Sequence, residues 1–107
     1  MSKIKEEECE YANEVTLIGR ASTPALEKEL PSGDKVVEVR IVVARDDRDG
    51  YDTFDLAFWS ASLRKRALTS ADDEWIEVTG ALRRRFWRTG NTIASRWQVE
   101  GRELRRV

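Results

Sequence analysis

The chain has 107 residues, 40% hydrophobic and 36% charged, with a formal net charge of −1. That length fits one domain around one modest core, and the balance is that of a globular chain rather than a disordered one. The absence of histidine and the single cysteine exclude most metal sites, the commonest general base and an internal disulfide, so the expectation is a non-enzyme without cofactor in a reducing cytoplasm.

Residues 1–12 are polar, acidic and aperiodic, and read as a flexible arm ahead of one domain over residues 13–107. "EVTLIGR" (14–20) reads as a short β-branched strand with Val15 and Leu17 inward. After "ASTPALEKEL" comes the turn signal "PSGD", punctuated by Pro31 and Gly33. "KVVEVRIVVAR" (35–45) alternates, with Val37, Val39, Ile41 and Val43 on one face and Glu38 and Arg40 on the other. The acidic "DDRDGYD" reads as a hairpin loop around Asp49-Gly50. The returning strand "TFDLAFW" (53–59) places Phe54, Leu56 and Phe58 inward and Thr53, Asp55, Ala57 and Trp59 outward.

"SASLRKRALTS" (60–70) is the one helix expected, with Leu63, Ala67 and Leu68 as its apolar stripe. "ADDE" follows as a loop. "WIEVTGALRRRFW" reads as a long strand with Ile76, Val78 and Leu82 in the core and a bend at Gly80; Trp75 is expected to close a barrel end. After an "RTGN" turn, "TIASRWQVEG" is the last strand, on which Trp97 is expected to pack with Ser95 and Val99. Five strands with one short helix between the third and fourth describe an all-β, Greek-key OB barrel, whose open face binds oligonucleotides or oligosaccharides. No apolar run approaches the ~20 residues of a membrane span, so no membrane partner is expected.

The total charge hides a segregation. From residue 83 onward, Arg83, Arg84, Arg85, Arg88, Arg96, Arg102, Arg105 and Arg106 stand against only Glu100 and Glu103, while the N-terminus and the loop at 46–52 are acidic. The period of two along 82–87 puts Arg83, Arg85 and Trp87 on one face, without an aliphatic residue among them. Guanidinium forks meet phosphates and an indole stacks on any base, a pairing suited to an unstacked single strand. Arg88 flanks this set, Trp59 lies on the non-core face of its own strand, and Arg40 sits on the same open face. For Arg40 a cross-strand pair with Asp55 or Glu38 is equally expected. A packing role remains the alternative for the tryptophans.

"NEVTLIGRASTPALEKELPSGDKVVEVRIVVAR" followed by "GALRRRFW" resembles the OB-fold domain of bacterial single-stranded DNA-binding proteins. The matching parts are the "LIGR" first strand, the "PSG" turn, the alternating second strand and the "G-x-L-R-x-R-x-W" fourth strand, over residues 13–107. The resemblance implies sequence-tolerant binding in replication, recombination or repair, and a homo-oligomer, tetramer before dimer. It places Arg83, Arg85 and Trp87 on the DNA-contacting strand and Trp59 on the position of a stacking phenylalanine. The chain departs from the family in having Asp47 and Thr53 where tryptophans are usual, Asp55 in place of a basic residue, and a short acidic hairpin instead of a long basic arm. It ends at "ELRRV", without the tail through which the family recruits enzymes, so a short form is expected. An RNA- or primosome-type OB subunit and a protein-interaction scaffold stay open as alternatives.

Overall fold

The computed structural model describes residues 9–70 and 73–107. The elements are β1 (Val15–Ala21), β2 (Leu26–Glu29), β3 (Lys35–Ala44), β4 (Tyr51–Phe58), α1 (Ala61–Leu68), β5 (Trp75–Thr89) and β6 (Thr92–Arg106). Most of the arm expected at 1–12, and the first half of the loop at 71–74, lie outside the described residues. Six strands replace the five expected. The addition is β2, which pairs with β3 as a hairpin across the "PSGD" turn. All four of its side chains are exposed, so it carries no alternation of apolar and polar residues by which a sequence announces a strand.

The strands close into a ring. β1 pairs antiparallel with β5 and, at Arg20↔Val42 and Ala21↔Ile41, with β3; β3 pairs with β4, and β5 with β6. The ring closes through a short parallel contact, Leu56↔Val99 and Ala57↔Glu100, between β4 and β6. With α1 between β4 and β5, this is the OB barrel the sequence pattern indicates. Ser60 caps the helix, its hydroxyl accepting from the Leu63 amide at 3.3 Å.

The register on β3 and β4 follows the alternation. Val37, Val39, Ile41, Leu56, Phe58, Ile76 and Val78 are buried and packed together, and Ala21, Ala67, Val99 and Leu104 join them. Val15, Leu17, Val43, Phe54 and Leu63 pack at the margin of this core. Leu68 is exposed, so the helix contributes its stripe through Leu63 and Ala67 alone. Gly101 lets β6 approach the barrel interior: a Cβ there would lie 2.2 Å from Phe58 Cε1.

Three expectations fail where the barrel ends. Leu82 is on the predicted face but is 41% exposed, because β1 stops pairing with β5 at Val15↔Gly80. The Asn13 side chain covers the backbone there instead, donating to Leu82 O and accepting from Leu82 N, both at 2.8 Å. Trp97 is 55% exposed because β4 leaves β6 at Val99. Trp75 is also exposed; it pairs with Arg20 on the outer surface, one residue out of phase with buried Ile76. Ala57, by contrast, was expected outward and is buried, because the β5–β6 side chains close over it.

Candidate nucleic-acid interface

β5 and β6 run on past the barrel as a two-stranded arm that turns at Gly90-Asn91. Gly90 has φ of +60° as the first central residue of the turn, the position a type II′ hairpin reserves for glycine. That two-residue turn sets the register: Trp87↔Ala94, Arg85↔Arg96, Arg83↔Gln98 and Ala81↔Glu100 share one face.

On this face the predicted residues converge. Trp59, at the end of β4, lines a pocket of about 260 Å³ with Ala57, Arg83, Arg85, Gln98 and Glu100. Arg64 of α1 donates to the Trp59 carbonyl and so ties the base of this tryptophan to the helix. The Arg85 guanidinium lies over the indole, its Cζ 4.8 Å from the ring centroid, a separation at which cation and ring attract. Arg85 faces Arg96 directly across the ladder, and like charges so placed repel. The two side chains diverge: Arg85 donates to Gln98 Oε1 at 3.4 Å, and Arg96 to Glu38 Oε2 at 3.2 Å.

Gln98 is only 3% exposed and is hydrogen-bonded at both ends, since its Nε2 donates to Glu38 Oε2 at 2.6 Å. Glu38 is the hub. It also pairs with Lys28 at 2.6 Å. Burial by itself would raise its pKa, but hydrogen bonds from Lys28 and Gln98 and the charges of Lys28 and Arg96 outweigh it and hold the carboxyl below its ordinary value.

Arg40 lies in an adjoining groove and donates to Asp55 Oδ1 at 3.0 Å, the cross-strand pair that its position made equally expected. Arg83 is likewise paired, to Glu100 at 2.8 Å. Trp87 stands further out, 47% exposed, with only Ala94 opposite. Arg88 is on the other face of the arm, opposite Ile93; among the described residues its side chain makes no hydrogen bond or ion pair. The structure therefore brings together Trp59, Arg83 and Arg85, places Trp87 and Arg40 at the two ends of the same face, and separates Arg88 from it.

Sequence reasoning missed Gln98, Glu38, Arg96 and Glu100 as parts of this face. The turn was the available signal for Gln98, Arg96 and Glu100, because counting back from Gly90-Asn91 pairs them with Arg83, Arg85 and Ala81. Two larger clefts exist, one beside α1 with Arg66, Glu77 and Arg102, one at the acidic loop with Asp46, Asp47 and Arg48, and neither holds an aromatic side chain.

Among solved structures, the chain is similar to the Plasmodium falciparum SSB complex with ssDNA, at a TM-score of 0.72 and 18% identity, over 92% of this chain and 96% of that one. The two share a fold. No protein-family model matches the sequence, and no curated protein matches it.

Proposed function

We propose that the protein is a non-catalytic, sequence-tolerant single-stranded DNA-binding module, a relative of the bacterial single-stranded DNA-binding proteins that serves replication, recombination or repair in the cytoplasm. One observation carries the reading: Trp59, just after β4, and Arg83 and Arg85 of β5 line one pocket on the open face of an OB barrel. Bases stack on Trp59 and Trp87, and Arg83, Arg85, Arg40 and Arg88 meet phosphates. The likeness to a solved SSB–ssDNA complex supports the same reading.

The chain assembles with itself, as a tetramer before a dimer. In its support, β1 is joined to β3 only at its last two residues, so one edge over Val15–Gly19 has no strand partner among the described residues, beside the exposed Ile18. Such an edge is a template for another chain.

Titration with oligo-dT and oligo-U, read by tryptophan fluorescence, tests the function. Quenching by dT is the expected result, and quenching by both strands equally points to an RNA-type subunit. Trp87→Ala should weaken binding by about 1–3 kcal/mol per stacked base while oligomer mass and melting temperature hold. A variant that dissociates first assigns Trp87 to a subunit contact instead. A second reading, an interaction domain with residual DNA binding, is favoured by the carboxylate partners of Arg40, Arg83 and Arg96. Silence toward both strands selects it.

A further inference from the structure

The other face of the arm is unaccounted for. There Leu82 stands opposite Val99, Arg84 opposite Trp97, Phe86 opposite Ser95, and Arg88 opposite Ile93. Only Val99 of this set is buried; Phe86 is 63% exposed, and Leu82, Ile93 and Trp97 are exposed with it. The Arg84 guanidinium sits between the two aromatics, 5.1 Å from the Phe86 centroid and 5.7 Å from that of Trp97. It also donates to Ser95 Oγ, at 2.9 Å from its Nη2.

The charge on this face is less compensated than that around the Trp59 pocket. In the pocket and its groove, Arg83, Arg96 and Arg40 each have a carboxylate partner, and Arg85 is held by Gln98 instead. On the outer face neither Arg84 nor Arg88 has one among the described residues, and the chain holds no Asp or Glu between Glu77 and Glu100. An apolar surface that stays open to water marks a docking site, and these cations select what docks. A second copy would bring one acid-free, arginine-bearing face against its like. A polyanion with planar, unstacked bases suits both the unpaired guanidinium groups and the aromatic planes.

The arm also leaves a path. Its β5 edge loses β1 beyond Gly80, and its β6 edge loses β4 before Val99, so among the described residues neither edge pairs with another strand from there to the turn, and a strand leaving Trp87 can pass round the arm. We infer that the outer face, through Arg84, Phe86, Arg88 and Trp97, is a second contact surface for single-stranded nucleic acid, so that one strand follows both faces of the arm. The inference rests on the DNA-binding reading above and extends it.

Two lengths of oligo-dT separate the faces: about 6 nucleotides, near the bottom of the ~4–16 that one OB fold covers, and about 24, beyond its top. With strand in excess and oligomer mass followed in parallel, the Phe86→Ala/Trp97→Ala double variant should bind the short strand as wild type does. It should bind the long one about tenfold or more weakly. Arg84→Gln, which leaves the apolar surface in place, should lower the salt slope for the long strand by about 0.7 and leave the short-strand slope alone. Unchanged long-strand binding in both variants overturns the inference, and a simultaneous fall in oligomer mass identifies the occupant as a second copy. If wild type binds neither length, the DNA-binding reading itself fails and takes this one with it. Trp87→Ala tells the cases apart, since it weakens both lengths only if the reading holds.

Discussion

Arg85 covers Trp59. Its guanidinium carbon is 4.8 Å from the indole centroid, in the place a base would take on that side of the ring. A stacking base displaces the guanidinium, which then has its donor fork free for the adjoining phosphate.

Arg85→Ala should therefore act on two observables. Trp59 becomes more exposed in the free protein, so tryptophan emission shifts to the red. The salt slope of single-stranded DNA binding falls by about 0.7, one phosphate's share on a single strand. An unchanged slope removes Arg85 from the phosphate contacts.

Glu38 predicts one acid-sensitive contribution to stability. Its folded pKa lies below the ordinary value of 4.5 because the bonds and charges of Lys28, Gln98 and Arg96 outweigh the effect of burial. The unfolded chain then takes up the proton more readily than the folded one, so falling pH favours unfolding. The contribution is complete above about pH 4.5 and is lost as pH drops through the depressed folded pKa. Melting curves of wild type should fall in that window, and those of Glu38→Gln should fall less steeply.

Gln98→Leu removes the amide that links Arg85 to Glu38. The cost should be about 1–3 kcal/mol in urea unfolding, since the partly buried carboxylate loses a donor. Because Arg85 loses its anchor, single-strand affinity should drop as well. A stability loss with intact affinity shows that Arg85 finds its position through Trp59 alone.

Gly101→Ala tests the packing beneath the site. The new methyl would lie 2.2 Å from the ring of Phe58, which is fully buried. The ring must move, at a cost of about 1–3 kcal/mol. The urea midpoint should fall with the m-value unchanged.

Much of this molecule is written in short-range order. Alternation along 35–45 and 53–59 assigned Val37, Val39, Ile41, Leu56 and Phe58 to the core, because the side-chain period of a strand leaves one face for them. The Gly90-Asn91 turn set which arm residues face each other, from Thr89↔Thr92 back to Ala81↔Glu100. Those local rules placed Trp59, Arg83 and Arg85 on outward faces, and the barrel joined them in one pocket.

Alternation names a face but not what lies across from it. Leu82 and Trp97 have the pattern of core residues, yet β1 ends its pairing at Gly80 and β4 leaves β6 after Val99 and Glu100. Burial needs a second layer supplied by a distant segment, and only the closed barrel decides where that layer stops. The same holds for charge. Glu38 and Asp55 are far in sequence from Arg96, and it is the β3–β4–β6 arrangement that sets them beside it. Tertiary structure therefore decided, among the described residues, which arginines are paired with acids and which, on the arm, are left without one.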